Sequence, residues 1–249
     1  MVKNTIFKHR SIRRYKSTPI PEDVLKSILE AASRASTCGN MQLYSLVVTQ
    51  SEQMRRRLSP CHFNQPMVMQ APCLVTVCAD IHRFSMWCRQ RNAEPVYDNF
   101  AWFMNAATDA LLAAQNLALQ AECHGLGICI LGTTLYTAAE IAKILTLPEG
   151  VIPLTTVVIG YPDESPALTD RLPLEAVVHY ENYTEYTASE IDELWAEREE
   201  SEESKSIVEQ NGEENLAQVF TRHRYKGDDN LAISRSYFEL LKKQGFFNH

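Results

Sequence analysis

The sequence predicts an α+β domain. Three observations lead there: four short apolar runs of strand character, helical patterns between them, and turn or stop signals at most junctions. Strands and helices interleaved in this way bury one another's apolar faces in a single layered unit.

Residues 20–36, IPEDVLKSILEAASRAS, read as an amphipathic helix. Pro21 sits near its start, acids fill its first turn, and Val24, Leu25, Ile28 and Leu29 share a face. YSLVVT (44–49) and CLVTVCA (73–79) read as strands, with the charged helix SEQMRRRL between them. Residues 98–123 carry the longest helical pattern. It is apolar on most faces, which predicts a buried central helix or one shared between two chains. His124-Gly125-Leu126-Gly127 stops it, and GICIL (127–131) follows as a short buried strand ending at Gly132-Thr133-Thr134. Thr137-Ala138-Ala139-Glu140 reads as a capping box opening a helix that ends before Pro148. PLTTVVIGYP (153–162) is the fourth strand, and a last helix near 232–243 precedes Gly245 and Phe246-Phe247. From 185 to 214 acids crowd the chain, with Arg198 and Lys205 its strong bases, so this stretch reads as a solvated helix and linker. The expected organisation is a core over 1–184, then an acidic linker and C-terminal helical extension over 185–249. That extension would pack on the core or on a partner subunit.

Composition narrows the function. The chain has 249 residues, 45% hydrophobic and 22% charged, an ordinary globular balance. Its net charge is −7 and no basic stripe offsets it, so nucleic acid is not an expected partner. MVKNTIFKHRS lacks the apolar core of a signal peptide, and no apolar run approaches the roughly 20 residues of a membrane span. The expectation is a soluble cytoplasmic protein without a membrane partner. Seven cysteines (38, 61, 73, 78, 88, 123 and 129) form no C-x-x-C pair and read as small buried hydrophobes, with a thiol-based redox role as the lesser reading. The histidines show no metal-ligand spacing, and no metal is expected. Phosphate-loop, dinucleotide-turn, nucleophile-elbow and zinc-helix motifs are absent.

One cluster stands out: His9-Arg10-Ser11-Ile12-Arg13-Arg14-Tyr15. The planar donor fork of arginine matches phosphate oxygens, and serine adds a compact donor. Far along the chain, Arg171-Leu172-Pro173-Leu174 has the same flavour.

An ordered set of fragments joins these two. It runs from HRSIRRY and the helix behind its proline through Gln42 in CGNMQLYS, Gln65 in NQPMVMQAP, and Cys78-Ala79-Asp80. It continues through the alanine-rich helix with Asp109 and Gln115-Asn116, GLGICILG, VVIGYP, PALTDRLPLEAVVHYENY and LLKKQGF. The set resembles the oxygen-insensitive nitroreductase and flavin reductase family over nearly the whole chain, nearest its NADPH-dependent branch. The resemblance implies a central, mostly antiparallel sheet flanked by helices, in a homodimer with two FMN molecules at its interface. It assigns the FMN phosphate to His9, Arg10, Ser11 and Arg171. Arg13 would sit beside the pyrimidine edge of the flavin, where a cation favours the reduced ring. Gln65 would hydrogen-bond the ring, and the backbone of Leu131, Gly132 and Thr133 would face flavin N5. Gln42 and the Ser36–Asn40 loop would line the adjoining space. No side chain is implied as a catalytic acid or base. NAD(P)H would deliver hydride and leave; a small electron-poor acceptor (a nitroaromatic, a quinone or free flavin) would then take the electrons in a ping-pong sequence. A flavin-binding sensor or store without turnover is the alternative.

Two departures from the branch carry consequences. Thr169 stands where the branch usually has a lysine, two residues before Arg171, so one phosphate contact is expected to be weaker or replaced. The region of a basic loop that holds the 2′-phosphate of NADPH is here the acidic SEESKSIVEQNGEEN (201–215). Discrimination between NADPH and NADH is therefore expected to be weak or to favour NADH; Arg222, Arg224 and Lys226 read as surface charge, with service as substitute cations the lesser reading.

Overall fold

A computed structural model describes residues 2–248, with side chains from Asn4 onward. The chain forms two compact units, Met1–Ala167 with Ile233–His249, and Leu168–Ala232. The division falls at Ala167/Leu168, not at the expected 184/185. The end of the chain returns to the first unit, where Leu240, Leu241 and Phe246 are buried in its core.

The first unit is built on four strands, β1 (Tyr44–Thr49), β2 (Cys73–Asp80), β3 (Gly127–Leu131) and β4 (Val151–Gly160). Their order is β1-β2-β4-β3 and every pairing is antiparallel, with Val75 opposite Val157 and Ile128 opposite Ile159. Every residue of β2 and β4 is buried, because helices cover both faces of the sheet. Val75 and Val77 of β2 face one apolar cluster, while Leu74 faces the other. That two-sided burial explains why these strands read as continuous apolar runs without alternation.

The helices of this unit are α1 (Val2–Phe7), α2 (Glu22–Ala32), α3 (Glu52–Leu58), α4 (Pro66–Gln70), α5 (His82–Arg89), α6 (Phe100–Cys123), α7 (Thr133–Tyr136) and α8 (Ala138–Ile144). α2 and α6 cover one face of the sheet; α3, α4 and α8 stand on the side of the second cluster. α6 lays alanines 106, 110, 113 and 121 against the sheet, which lets its backbone approach closely. Its other side exposes Met104, Leu111 and Leu112. Asn99 caps its start by accepting from Trp102 N–H at 3.1 Å, and Gly125, with φ +75°, ends it in the left-handed conformation.

The capping box expected at Thr137 does not form. Thr137 Oγ1 donates instead to Cys61 O at 2.8 Å, so the hydroxyl ties the 59–62 turn to the α7–α8 junction. In the second unit, a capping box does form between Thr187 and Glu190 at the start of α9 (Ala188–Glu200). There α9, α10 (Glu202–Asn211) and α11 (Leu216–Val219) replace the expected linker. A final helix, α12 (Gly227–Lys243), begins in this unit and ends in the first. None of the described helices is long and apolar enough to cross a membrane.

Two glycines fix where the chain's start lies. Gly127 and Gly160 are register partners on β3 and β4. A Cβ on Gly127 would meet Ile12 Cγ1 at 2.5 Å, and one on Gly160 would meet Pro72 Cδ at 2.7 Å and Tyr15 Cδ1 at 2.9 Å. Gly127→Ala should therefore cost about 1–3 kcal/mol through overpacking, read as a shift in the denaturation midpoint. Adding Ile12→Ala should recover part of that loss, because the two changes share one space. Strict additivity would show that Gly127 does not seat Ile12.

Candidate functional site

The basic segment lies along the free edge of β3. Ser11 bridges Ile128 in parallel, Ile12 N–H donates to Ile128 O at 2.9 Å, and Tyr15 bridges Pro162. Ile12 and Tyr15 point into the core, and the Tyr15 hydroxyl donates to Ile12 O at 2.6 Å. Burial raises the pKa of that phenol, so it stays a donor. With these two side chains inward, His9, Arg10 and Ser11 are half-buried and Arg13 and Arg14 are exposed.

Carboxylates order this cluster. His9 Nδ1 lies 2.6 Å from Glu122 Oε1 at the end of α6. Glu164 accepts from the backbone N–H groups of Arg13 and Arg14 and from Arg14 Nε at 3.2 Å. Those bonds, led by the Arg13 N–H, hold its carboxyl below the usual range. Arg10 Nη1 donates to Pro166 O at 2.7 Å. Among the described residues, the Arg13 guanidinium makes no hydrogen bond or ion pair. A cavity of about 440 Å³ opens here, with Lys8, Arg10, Glu122, Gly125, Glu164 and Ser165 in its wall.

The other end of β3 carries the predicted turn. Leu131 is buried, Gly132 is exposed and Thr133 opens α7. A Cβ on Gly132 would meet nothing within 4 Å, so the backbone faces open space. From Ile128 to Gly132 is four residues, about 13 Å of strand. One strand thus carries the basic segment near its start and the open turn at its end.

Gln65 reaches this turn through His62. The Gln65 N–H donates to His62 O at 3.1 Å, and His62 Nδ1 lies 2.9 Å from Thr133 Oγ1. His62 is fully buried and, among the described residues, its Nε2 has no partner. Burial lowers its pKa from 6.5 to about 4.

Gln42 does not join the others within one chain. It precedes β1, the opposite edge of the sheet, three strand spacings or about 14 Å from β3. It adopts φ +55° and its carbonyl accepts from Arg83 Nη2. Asp109, buried on α6, pins the same loop by accepting from Cys38 N–H at 2.8 Å and Leu43 N–H at 3.1 Å. Arg171 lies in the second unit, where Nη1 donates to Thr169 O at 3.2 Å and Asp170 O at 2.8 Å. In that unit Glu213 binds both Arg222 Nη1 and His223 Nε2 at 2.7 Å, and Arg224 lies over the Phe220 ring.

Sequence reasoning missed His62, Glu122 and Glu164. A histidine three residues before Gln65 was a usable signal. The two glutamates had none, since each meets its partner across more than 100 residues. The thiols are free: burial pushes Cys73 and Cys78 up to about 12, and Cys38 alone is exposed.

The fold and these fragments place the chain in the nitroreductase family, whose model matches residues 6–80 and 59–161. It is 34% identical over 186 residues to an NADPH-dependent oxidoreductase of Staphylococcus aureus (strain MRSA252), covering 73% of this chain and 74% of that protein. It is 32% identical over 181 residues to an FMN reductase (NADPH) of Bacillus subtilis (strain 168), covering 72% and 73%. A crystal structure from Bacteroides fragilis NCTC 9343, of a protein provisionally described as an oxidoreductase, superposes with a TM-score of 0.96. It shares 49% identity over 98% of this chain and 99% of that one.

The depressed pKa of His62 sets an acid limit. Between about pH 6.5 and 4 the unfolded chain binds a proton here that the folded chain does not. Its contribution is complete above about 6.5 and is lost as the pH falls toward 4, by about 3 kcal/mol at most. Denaturation of the wild type and of His62→Leu across that window should show a smaller pH slope in the variant. Equal slopes would remove His62 as the cause.

Proposed function

We propose that this chain is an FMN-dependent oxidoreductase that accepts hydride from NAD(P)H and passes electrons to a small electron-poor acceptor. Nitroaromatics, quinones and free flavin are the acceptor classes, and the two half-reactions alternate in one space. The carrying observation is the layout of β3, which has arginines beside its start and an open glycine turn at its end. The relatives named as NADPH-dependent and as an FMN reductase support the reading. Bound FMN would supply hydride acceptance and electron release; the protein supplies position and charge.

His9, Arg10 and Ser11 suit the phosphate. Arg13, exposed and without a described partner, suits the pyrimidine edge of the ring. Gln65 suits a polar ring edge, and Leu131, Gly132 and Thr133 present backbone without side-chain obstruction at Gly132. The free thiols fit a reducing compartment, and the cytoplasm is the proposed location.

A homodimer completes this proposal. Met104, Leu111 and Leu112 are exposed large apolar side chains on α6, and Ile6 and Phe7 of α1, which contacts α6, are exposed as well. A second copy packed there would cover them and could supply the Gln42 loop that one chain keeps at its far edge.

Four outcomes test the proposal. Heat-released cofactor should be FMN. Arg10→Ala should then weaken FMN binding by one to two decades, about 1.5–3 kcal/mol. Arg14→Ala should do far less, because its guanidinium is committed to Glu164; equal effects would reduce the cluster to general charge. Light scattering should give twice the 28.3 kDa chain mass. An active, flavin-bearing monomer would contradict the proposed interface.

The fourth outcome concerns the coenzyme. A 2′-phosphate needs cations, and Arg222 is already held by Glu213. The kcat/KM ratio of NADPH over NADH should stay below about a hundredfold, roughly 2.7 kcal/mol. Glu213→Gln should raise that ratio by releasing Arg222. A ratio far above the limit in the wild type would show a strong phosphate site elsewhere.

A further inference from the structure

We propose that His62 is a positioning residue for the Leu131–Gly132–Thr133 turn, fixing the backbone surface that the flavin ring would meet. The inference rests on the flavoenzyme reading above and concerns residues that reading leaves without a role.

The turn is held from two sides. On one, His62 Nδ1 lies 2.9 Å from Thr133 Oγ1. His62 is itself immobilised, because Thr137 Oγ1 donates to the preceding carbonyl, Cys61 O, at 2.8 Å. Behind it Asn64 N–H donates to Ser59 O at 2.9 Å, closing a turn in which Phe63 and Asn64 are left-handed. On the other side, buried threonine hydroxyls link the sheet to the same turn. Thr134 Oγ1 lies 3.0 Å from Leu131 O and 3.0 Å from Thr156 Oγ1, and Thr76 Oγ1 lies 3.3 Å from Thr156 Oγ1. A hydroxyl has one proton. Thr134 therefore donates to the Leu131 carbonyl or to Thr156 Oγ1, and because Leu131 and Thr156 are register partners on β3 and β4, either bond ties the turn to the sheet.

His62 does more than fill space. Among the described residues its buried Nε2 has no partner, a cost that an apolar side chain of similar size would avoid. What an apolar residue lacks is the bond to Thr133. That bond also ties Gln65, three residues on, to the turn. Displacement of His62 would therefore move two of the proposed ring contacts together.

The test uses the purified holoenzyme with FMN, comparing wild type with His62→Leu, His62→Asn and Thr133→Val. Flavin reduction potential, visible spectrum and kcat are measured beside FMN affinity and thermal stability. His62→Leu is expected to retain FMN yet change the relative affinity for its oxidised and reduced forms at least tenfold. That change reads as a shift of about 30 mV or more for a two-electron couple. His62→Asn, which can still bond Thr133, should recover at least half of the shift. Thr133→Val should reproduce it, and the His62→Leu/Thr133→Val double variant should shift no further than either change alone. A bound flavin with wild-type potential and spectrum in both His62→Leu and Thr133→Val would overturn the inference, whatever stability is lost. Should His62→Leu fail to fold, Thr133→Val decides alone. Absence of FMN from the wild type is a different failure, one that removes the flavoenzyme reading and this inference with it.

Discussion

The approach of residues 11–15 to the β3–β4 edge is the contact on which the rest of the site depends. It is possible only because two opposed positions, Gly127 and Gly160, have no Cβ. The missing carbons admit Ile12 and Tyr15 to the core, and the ladder bond from Ile12 N–H to Ile128 O sets the register. Once those two side chains are inside, geometry determines the rest. His9, Arg10, Ser11 and Arg13 must lie toward the edge, and an otherwise acidic protein gains a local concentration of cations there. Gly125 and Gly127, two residues apart, thus have different duties. The first ends a helix in a left-handed conformation; the second makes room for another part of the chain.

Charge then sorts the cluster. Exposed ion pairs contribute little to stability, so Glu122 and Glu164 are better understood as orienting groups. Glu164 takes two consecutive backbone N–H groups and the Arg14 side chain, which spends Arg14 on structure. Glu122 holds His9 at the edge of the cavity. Arg13 has neither carboxylate on its guanidinium and keeps its full donor fork. The second unit follows the same logic in reverse. Arg198 is paired with Asp170 and Arg222 with Glu213, so acidic composition there translates into cations already committed to neighbours.

What the sequence showed and what it hid divide along range of interaction. β1 and β3 were legible to the residue, and β2 and β4 nearly so, because burial on both faces leaves unbroken apolar runs. α6 was legible from its alanines and its glycine stop. The box at Thr137 misled because a local pattern cannot reveal that Cys61 O competes for the hydroxyl. The acidic stretch read as a solvated helix and linker; two capped helices form within it, and Leu240, Leu241 and Phe246 bury the tail in the first unit's core. In the site, Arg10 and Gly132 stood out by residue type. His62, Glu122 and Glu164 acquire meaning only from contacts that close loops of roughly 70 to 150 residues.

α6 is the element that touches both the His9 cluster and the loop that carries Gln42. Its alanine face lies on the sheet, Asp109 pins the loop that carries Gln42 at one edge, and Glu122 meets His9 at the other. Thirteen residues separate the two carboxylates, about 20 Å along a rigid rod. A sideways shift of the helix would loosen both anchors together, and close packing of small side chains against the strands resists such a shift. The face opposite the sheet exposes Met104, Leu111 and Leu112, where a monomer gains nothing from large apolar groups. A second chain packed there would stiffen the same rod that holds His9 and the Gln42 loop. Dimerisation would then act on cofactor binding through α6 itself as well as by adding residues to the site.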